Sequence, residues 1–476
     1  GSHVAAAAIR AAGGRYGKRA VVVCGKGNNG GDGFVAARVL AAAGMRVRCF
    51  AVADVERMAG AAGENLETWR AAGGTVERLD PAAFEVADVV IDAIFGTGFS
   101  GRPEGDAARA IELINDCSAP VVAVDIPSGI DGATGAIEGT SVRADTTTTM
   151  GAIKVGLAIG AGAAAAGRIE IADIGIPITE VPPLALVETS DVARRLPRRP
   201  PDAHKRSSGT VAVLAGSDQM TGAAVLAVRG ALRMGAGYAN LGCTENVRVV
   251  AAARLPEALT QVVSDGPVLG PEALERFKGM LERADALAVG PGIGTGTDQR
   301  ELVERILREV EVPVVADADA LNVLVDSPDA MRDREAPLII TPHPAELARL
   351  LRRSTDDIQA DRIGAATEAA SRFGCVTTLK GFRTVVAEPS ARGAVIPTGG
   401  PELATAGTGD VLTGAVAALV AAGLDPFDAG WVAAFVHGAA GSIAASDLSA
   451  GGLVAWDVAE SLPRAVAAIE GGAEWD

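Results

Sequence analysis

Residues 403–424 carry the residue types best suited to chemistry. Gly407 and Gly409 flank a single threonine, Thr408, and Asp410 follows directly. Apolar residues then recur at every fourth position, which predicts a helix that begins in this turn. The N-terminus of a helix offers unpaired N–H groups and the positive end of the helix dipole, so this turn can bind phosphate. Asp410 could then take a proton from a nearby hydroxyl, although an ordinary helix cap is the alternative.

A second glycine-rich loop, at residues 25–33, lies near the start of the chain. The apolar strand predicted at 20–24 runs into it, and a helix is predicted after it. Its glycines satisfy the pattern GxGxxG, and Asp54 is placed to be the ribose-binding acid, so a nicotinamide dehydrogenase is one interpretation. The crowding of two amides and an acid into this loop, and the lack of a downstream hydride-transfer residue, disfavour that interpretation.

Polar side chains follow three successive predicted strands of the first half. Asn29 follows the first strand, Asp92 ends the next, and Asp125 ends the third, with Ser128 close behind. Because the carboxyl ends of strands line the ligand crevice of an open α/β sheet, we expect these side chains to converge. They offer only oxygen ligands, which suit a hard cation. The alternative is that the two acids merely cap strand ends.

Composition and charge narrow the possible partners. The chain has 476 residues, of which 49% are hydrophobic and 21% are charged, as in globular proteins of roughly two to three domains. Its 43 basic and 59 acidic residues give a net charge of −16, which argues against a nucleic-acid or membrane-surface partner. Five scattered cysteines without metal-ligand spacing indicate reduced thiols and a cytoplasmic protein. No apolar run is uninterrupted for long enough to span a membrane.

The second half repeats the pattern of the first, because successive apolar strands end in glycine, acid, histidine or lysine. This alternation predicts a largely parallel sheet with helices on both faces. Between the halves, residues 177–201 contain six prolines and no clean period, which indicates an interdomain connection. Within it, 184–187 is apolar enough to form an edge strand. We therefore predict an α/β protein with a first domain at 4–180, a linker at 181–203 and a second domain at 204–476.

Four further residues have both a functional and a structural interpretation. Lys154 follows a predicted strand, and we expect it to be a solvated lysine rather than a site contact. His437 lies in an apolar run, and we expect a core histidine with satisfied hydrogen bonds. Asp317 and Asp319 could help to hold a metal ion or could cap a helix.

Three motifs in the first half resemble the epimerase of NAD(P)H-hydrate repair: GNNGGDG at 27–33, DAIFGTGFSGR at 92–102 and DIPSG at 125–129. The resemblance covers about 4–180 and implies a Rossmann-like three-layer αβα domain that interconverts the two epimers of hydrated NADH and NADPH. Only 4–15 represents the helical segment that this family has ahead of its first strand, so we expect the domain to lack its extreme N-terminal part. The implied potassium ligands are Asn29, Asp92 and Ser128. The implied substrate contacts are Asn28, Asn29, Gly30, Gly31, Asp32, Gly96, Thr97, Gly98, Phe99, Ser100, Gly101, Arg102 and Asp125.

The turn at 407–410 resembles that of the ribokinase-like superfamily, whose members activate a hydroxyl for phosphoryl transfer. GSDQMTGAA, GPGIGTG, TPHPAE, LKGFRT and AGTGDVLTG together resemble the nucleotide-dependent NAD(P)H-hydrate dehydratase over about 204–465. This resemblance implies dehydration of the S-epimer to NAD(P)H with Mg²⁺ and ADP or ATP, with release of phosphate. The implied hydrate contacts are Ala224, Gly292, His343 and Asp410. The implied nucleotide contacts are Lys380, Gly381, Phe382, Arg383, Thr384, Gly407, Thr408 and Gly409.

The chain as a whole thus resembles the bifunctional NAD(P)H-hydrate repair enzymes. We predict Asp410 as the base of the dehydratase and Asp125 as the acid–base residue of the epimerase. Resemblance to bacterial forms favours ADP over ATP. The expected partners are small-molecule substrates, and a homo-oligomer is expected. The alternatives are a vitamin or sugar-alcohol kinase fused to a nucleotide-binding module, which would leave a stable phosphorylated product, and a non-catalytic nucleotide sensor.

Overall fold

The computed structural model describes residues 1–177, 182–202 and 204–475. The chain forms two compact units, Gly1–Val181 and Pro182–Asp476. The predicted domain boundaries at 180–181 and at 203 fall on residues outside the described ranges.

The first unit is built on a seven-stranded sheet in which every pair of neighbours is parallel. Its spatial order is β3-β2-β1-β4-β5-β6-β7, with strands β1 (Arg19–Cys24), β2 (Arg46–Ala51), β3 (Val76–Glu77), β4 (Val89–Ala93), β5 (Val121–Val124), β6 (Thr146–Met150) and β7 (Arg168–Ala172). The helices are α1 (Ser2–Ala11), α2 (Asn28–Ala42), α3 (Gly60–Ala71), α4 (Pro81–Glu85), α5 (Gly105–Asp116), α6 (Val155–Ala158) and α7 (Gly160–Ala165), with a 3-10 turn at Val55–Arg57.

Alternate residues of the central strands bury opposite faces of this sheet. Val22 packs with α1, α2 and α3 on one face, whereas Val21 and Val23 pack with α4 and α5 on the other. Two cores with one sheet between them make the three-layer arrangement that the sequence predicts. The order of the strands reverses between β1 and β4, which is where an open α/β sheet opens its crevice.

Two glycines let the first loop pack against the end of β4. A Cβ atom on Gly25 would lie 1.9 Å from the carbonyl oxygen of Ile94, and one on Gly30 would lie 1.9 Å from the carbonyl oxygen of Gly25. Only glycine tolerates such approaches, so these residues fix the loop at the crevice whatever ligand it binds.

The second unit is built on a ten-stranded sheet ordered β11-β10-β9-β12-β13-β14-β15-β16-β17-β8. Its neighbours are parallel except at β16, which is antiparallel to both β15 and β17. The strands are β8 (Leu184–Leu186), β9 (Thr210–Leu214), β10 (Tyr238–Thr244), β11 (Leu259–Ser264), β12 (Ala286–Val289), β13 (Val314–Ala316), β14 (Leu338–Ile340), β15 (Val376–Leu379), β16 (Val385–Ala387) and β17 (Gly393–Val395).

Twelve helices accompany these strands within the described ranges. They are α8 (Thr189–Arg195), α9 (Thr221–Met234), α10 (Glu245–Arg254), α11 (Glu272–Leu281), α12 (Thr297–Glu309), α13 (Asp319–Val323), α14 (Pro344–Leu351), α15 (Thr355–Ala360), α16 (Arg362–Phe373), α17 (Thr408–Ala421), α18 (Pro426–Leu448) and α19 (Ala455–Glu470). Short 3-10 turns occupy Pro328–Met331, Pro401–Leu403 and Ala450–Gly452.

The described residues of the predicted linker at 181–203, which are 182–202, belong to the second unit. β8 pairs in parallel with β17 at the edge of the second sheet, and Val192 of α8 is fully buried in the core of that unit. The prolines prevent a longer element here, but the apolar stretch between them satisfies the backbone groups of an exposed sheet edge. The edge strand suggested for 184–187 is therefore confirmed.

Helices α9 and α17 cross at very short distance beside the predicted phosphate turn. A Cβ atom on Gly230 would lie 2.2 Å from the carbonyl oxygen of Val411, and one on Gly414 would lie 1.9 Å from the carbonyl oxygen of Ala227. The two glycines thus allow the backbones to touch, which holds the start of α17 in place. No helix in the described ranges is long and apolar enough to cross a membrane.

Candidate functional sites

The first candidate site is built around a buried carboxylate at the end of β4. Asp92 is fully buried, and its oxygens accept hydrogen bonds from the backbone N–H of Ser128 at 2.7 Å and from the Ser128 hydroxyl at 2.6 Å. Burial raises the pKa of Asp92 to about 6, although these hydrogen bonds and one from Ile94 oppose the rise. No cationic side chain of the described residues forms an ion pair with Asp92. A buried anion without a cationic partner is costly, so this is a place where a bound cation would be stabilised.

Asn29 and Ser128 hold the next loop against this carboxylate. The side-chain amide of Asn29 donates to the carbonyl oxygen of Phe95 at 2.7 Å, and the backbone N–H of Phe95 donates to Ser128 Oγ at 2.9 Å. A Cβ on Gly96 would lie 3.3 Å from Asn29 Oδ1. The structure therefore brings together the three residues that the resemblance names as potassium ligands, and places a backbone carbonyl beside them.

Asp125 forms a close ion pair with Lys154. The distance from Lys154 Nζ to Asp125 Oδ1 is 2.6 Å, and both side chains are largely buried. Lys154 also donates to the carbonyl oxygen of Met150 at 2.7 Å. Asp125 adopts a left-handed backbone conformation with φ of 65°, which a non-glycine residue rarely adopts outside constrained sites. The prediction that Lys154 is merely solvated is wrong, because the lysine is drawn into the site by a partner 29 residues away.

The remaining predicted substrate contacts of the first unit differ in how far they are exposed to solvent. Gly30 and Gly31 are buried at the start of α2, and Asp32 is partly buried there. The rings of Phe95 and Phe99 stack with centroids 4.3 Å apart, which gives the loop after β4 a rigid apolar base. The residues left exposed and free to contact a ligand include Asn28, Thr97, Gly98, Ser100 and Arg102, while Gly101 is partly buried. Asp54, the acid of the dehydrogenase interpretation, caps a 3-10 turn by accepting from the backbone N–H of Glu56.

The second candidate site begins at the predicted glycine turn. Gly407 has φ of 91° and precedes α17, which starts at Thr408 and carries Asp410 in its first turn. The prediction of a helix that opens from this turn is confirmed. A Cβ on Gly407 would lie 2.5 Å from Leu226, whereas one on Gly409 would lie 3.2 Å from Lys380 Nζ. Gly407 is therefore required for close packing against Leu226, and Gly409 faces the charged groups of the site.

Lys380 and Asp317 form a buried ion pair beside this helix terminus. Lys380 Nζ lies 2.7 Å from Asp317 Oδ1, and the hydroxyl of Thr413 donates to the other oxygen of Asp317 at 2.6 Å. Asp317 is almost fully buried. Its carboxylate and that of Glu346 keep the pKa of Lys380 above its usual value, although burial acts in the opposite direction. A fixed ammonium group next to a helix N-terminus is suited to hold a phosphoryl group.

Asp410 is a strongly perturbed acid in this site. Burial, followed by the charge of Asp317, raises the pKa of Asp410 to about 7, and Lys380 opposes this rise. Asp319 contributes further negative charge, and its carboxylate accepts from the backbone N–H of Gly294 at 2.9 Å. A carboxylate with a pKa near the working pH can take up a proton efficiently, which is the property of a general base.

His343 sits at the start of α14 in a capping arrangement. Its Nδ1 accepts from the backbone N–H of Ala345 at 3.1 Å, and Glu346 accepts from the backbone N–H of His343 at 2.8 Å. Burial, with a smaller effect of Lys380, lowers the pKa of His343. The half-exposed neutral imidazole is therefore available to contact a ligand as well as to cap the helix.

Most of the predicted nucleotide contacts line one cavity of about 680 Å³. It brings together Lys380, Gly381, Phe382, Thr384, Thr408 and Gly409, and it also includes His343. Three predicted hydrate contacts, Ala224, Gly292 and Asp410, are not part of its lining. Ala224 is fully buried in α9, and Gly292 packs against Met220 and Ala223 with φ of 66°. Arg383 also has a left-handed backbone, with φ of 57°. The cavity therefore adjoins the glycine turn on the side of the loop after β15.

Two further residues that contact this site have no separate signal in the sequence. The guanidinium of Arg362 is buried under the loop after β15 and donates to the carbonyl oxygens of Leu379 at 3.1 Å and Lys380 at 3.3 Å. His437 lines the cavity, and its Nε2 has no hydrogen-bond partner among the described residues. The prediction of a satisfied core histidine is thus correct for its burial and wrong for its hydrogen bonding.

Comparison with known proteins finds a matching protein family for each of the two units. A family described as NAD(P)H-hydrate dehydratase matches residues 211–464, and one described as YjeF-related protein N-terminus matches residues 1–156. A bifunctional NAD(P)H-hydrate repair enzyme of Moorella thermoacetica is 40% identical over 474 residues, which cover 95% of this chain and 88% of that relative. These matches confirm the resemblance of both halves.

Comparison with solved structures supports the family match of the second unit. The ADP/ATP-dependent NAD(P)H-hydrate dehydratase from Bacillus subtilis, co-crystallised with ATP and Mg²⁺, is 34% identical with a TM-score of 0.52, and the match covers 59% of this chain and 97% of that one. A ribokinase-like superfamily protein from Enterococcus faecalis is 20% identical with a TM-score of 0.52, over 62% of this chain and 99% of its own. The latter likeness concerns the fold, and it confirms the predicted ribokinase-like class.

Proposed function

The chain belongs to the family of bifunctional NAD(P)H-hydrate repair enzymes, and from this premise we propose how its two sites divide the work. The first unit interconverts the epimers of hydrated NADH and NADPH, and the second dehydrates one epimer at the expense of ADP or ATP. The observation that carries the proposal is Asp410, a partly buried acid with a pKa raised to about 7, at a helix N-terminus beside a fixed lysine.

In the second unit, Asp410 acts on the hydroxyl that marks the damaged ring. Hydroxide is a poor leaving group, and phosphorylation converts it into a good one. Asp410 takes the hydroxyl proton while the terminal phosphoryl group of the nucleotide is transferred to that oxygen. Phosphate then leaves with the electrons of the C–O bond, the neighbouring carbon gives up a proton, and the reduced ring is restored. The N–H groups at 407–409 and the ammonium of Lys380 hold the negative charge of the phosphoryl group.

The second site also suits Mg²⁺. Asp317, Asp319 and Glu346 all raise the pKa of Asp410, so the site carries more carboxylates than Lys380 can balance. No group of three or more His, Cys, Asp or Glu side chains in the described ranges forms a complete metal site. We propose that Asp317, Asp319 and Glu346 would help to hold a Mg²⁺ ion bound together with the nucleotide, and that such an ion would offset the negative charge of the phosphates.

In the first unit, the Asp125 and Lys154 pair supplies the acid–base assistance for epimerisation. The two epimers differ at the carbon that carries the hydroxyl beside the ring nitrogen. When that hydroxyl is protonated, water leaves as the nitrogen lone pair forms a C=N bond, and water added to either face of this bond, with loss of a proton, gives either epimer. Asp125 Oδ1 and Lys154 Nζ, 2.6 Å apart, can accept and return a proton without a large movement. The loop of 96–102 and residues 28–32 bind the rest of the dinucleotide. That the protein forms a homo-oligomer and works in the cytoplasm stays a prediction from the sequence.

Potassium at the first site is expected to support epimerisation. Asn29, Asp92 and Ser128 supply oxygen ligands, and the unbalanced charge of buried Asp92 fits a monovalent cation. The epimerisation rate and the affinity for the hydrate should therefore be higher in potassium than in sodium buffer at the same ionic strength. Asp92→Asn should abolish the difference between the two ions. Equal rates and affinities of the unchanged protein in both buffers would reject the assignment.

Substitution of Gly409 should separate phosphate binding from folding. In Gly409→Val, the new side chain enters the space beside Lys380 Nζ, so dehydration should fall steeply while the melting temperature changes little. Gly414→Val provides the matched control, because its side chain would strike the backbone of Ala227 in α9 and should destabilise the protein. An equal loss of stability in both variants would show that the turn is chiefly structural.

The direct test of the proposed function is recovery of NADH. The protein is incubated with hydrated NADH, ADP and Mg²⁺, and the absorbance of NADH and the release of inorganic phosphate are followed. Recovery of both in equal amounts supports the proposal. A stable phosphorylated product without NADH would instead identify a kinase, and the absence of any nucleotide turnover would reject both.

A further inference from the structure

Arg362, the first residue of α16, is a buried arginine whose positive charge has no anionic partner. The residue is only 5% exposed, and no carboxylate of the described residues forms an ion pair with it. Its Nη1 donates to Gln359 Oε1 at 2.8 Å, and its Nη2 donates to the carbonyl oxygens of Leu379 at 3.1 Å and Lys380 at 3.3 Å. An apolar side chain such as methionine would fill this space without the cost of burying a charge, so the guanidinium indicates a role other than packing.

The backbone of Lys380 is held from two sides. Its N–H donates to the carbonyl oxygen of Pro342 at 2.9 Å, and its carbonyl accepts the hydrogen bond from Arg362. From this fixed backbone the side chain reaches Asp317, with Nζ 2.7 Å from Oδ1, and a Cβ on Gly409 would lie 3.2 Å from Nζ. A lysine side chain is a flexible four-carbon stem, so the position of its ammonium group depends on where its backbone is held.

Gly381 shows how closely the guanidinium packs under this loop. A Cβ atom at this position would lie 2.9 Å from both terminal nitrogens of Arg362, and the residue has φ of 143°, which favours glycine. Gly381 also lines the cavity beside the glycine turn, next to Lys380. The guanidinium of Arg362 therefore supports from below the stretch of backbone that faces the cavity.

We propose that Arg362 is a positioning residue for phosphoryl transfer. Its guanidinium holds the backbone at 379–380 and so places the ammonium group of Lys380 where the phosphates of the bound nucleotide arrive. The inference rests on the proposed nucleotide-dependent dehydration and adds to it a residue that acts through Lys380. The alternative is that Arg362 contributes to stability alone.

Arg334 provides a matched control in the same unit. It is a partly buried arginine that donates to backbone carbonyls at the end of α12, those of Ile306, Leu307 and Val310, and its Nε, like that of Arg362, has no partner among the described residues. Burial lowers the pKa of both guanidinium groups to about 10. Arg334 supports the start of the strands, however, whereas the site lies where the strands end.

The first experiment separates positioning from stability. Melting temperature, the affinity for ADP with Mg²⁺ and kcat/KM for ADP in NADH recovery are measured on the full chain and corrected for the folded fraction. We expect Arg362→Met to lower kcat/KM at least ~10-fold, because a displacement of about 1 Å at a reacting group can cost ~10²-fold. Arg334→Met should lower the melting temperature and leave kcat/KM and ADP affinity unchanged. Normal kcat/KM in folded Arg362→Met would overturn the proposal.

A double-mutant cycle tests whether Arg362 acts through Lys380. Dissociation constants for ADP are measured by calorimetry for Arg362→Met, Lys380→Met and the double variant. If the arginine acts by placing the ammonium group, its removal should weaken ADP binding little further once that group is absent. Fully additive losses in the double variant would overturn the proposal.

Arg362→Lys is the conservative variant. It keeps the positive charge but lacks the planar set of donors, so we expect it to show most of the loss of Arg362→Met, and it replaces that variant in both experiments should Arg362→Met fail to fold. Full activity in Arg362→Lys would show that the charge rather than the placement of the loop matters, and would overturn the proposal. Absence of ADP-dependent NADH recovery in the unchanged protein would instead reject the proposed function itself.

Discussion

Asp410→Asn is expected to reduce the rate of dehydration at least ~10²-fold, the low end of the effect of a positioned general base, and to leave epimerisation at its normal rate. Asparagine keeps the size and most hydrogen bonds of the residue but cannot take up a proton. Its neighbours Asp317 and Lys380 stay in place, so binding of the nucleotide should persist. Dehydration is measured as NADH recovery from the pure S-epimer.

The raised pKa of Asp410 also predicts how activity and stability depend on pH. Dehydration requires the carboxylate form, so its rate should increase as the pH rises through about 7. The folded-state pKa lies above the ordinary value of 3.8, so protonation favours the folded protein. The stability that comes from the protonated acid is fully present below pH ~4 and is lost as the pH rises through about 7.

The pH dependence of stability supplies a control for the Asp410→Asn variant. Asp410→Asn removes the charge of this partly buried side chain, so its melting temperature at pH 8 should equal or exceed that of the unchanged protein. A variant that is less stable and also loses epimerase activity would indicate unfolding rather than loss of a base. Nearly normal dehydration in a stable Asp410→Asn protein would remove Asp410 from the mechanism.

Asp125→Asn is expected to reduce epimerisation by at least ~10²-fold while dehydration of the pure S-epimer continues unchanged. Lys154→Met should have a comparable effect, because it breaks the 2.6 Å ion pair and leaves Asp125 without its proton partner. The pair of Lys18 and Asp88, at 3.2 Å and more exposed, provides a matched control in the same unit. Lys18→Met should leave epimerisation intact, since surface ion pairs contribute little.

Interconversion of the two epimers is measured by NMR of the hydrate in the absence of nucleotide. Normal epimerisation in Lys154→Met together with loss in Asp125→Asn would limit the lysine to a structural role. Normal epimerisation in both would place the chemistry elsewhere in the crevice.

The sequence could predict those parts of the sites that depend on local pattern. The turn at 407–410 and helix α17 follow from glycine spacing and apolar periodicity, which are properties of neighbouring residues. The convergence of Asn29, Asp92 and Ser128 follows from the general rule that parallel strands end at one edge of a sheet. These features require no knowledge of side-chain positions.

Pairings between distant residues could not be predicted in the same way. Lys154 reaches Asp125, and Lys380 reaches Asp317, only because the order of strands brings separate loops together. A lysine in a loop has the same local sequence whether it is solvated or paired. The unsatisfied nitrogen of His437 is likewise visible only once the hydrogen bonds of its neighbours are known.

The proline-rich segment shows a different limit of structure prediction from the sequence. Its composition indicates a connection, but pairing of β8 with β17 makes residues 182–202 part of the second unit. A short edge strand depends on what the sheet leaves unpaired, which local propensity does not reveal.

The central claim, that the two reactions occupy two independent sites, is tested most directly by NADH recovery from a mixture of both epimers with Asp125→Asn. The account predicts a fast phase of normal rate and amplitude, as the second unit consumes its own epimer. A slow phase at the spontaneous epimerisation rate should follow, and the unchanged protein should show a single complete recovery. Loss of the fast phase in a folded Asp125→Asn protein would contradict the division of labour.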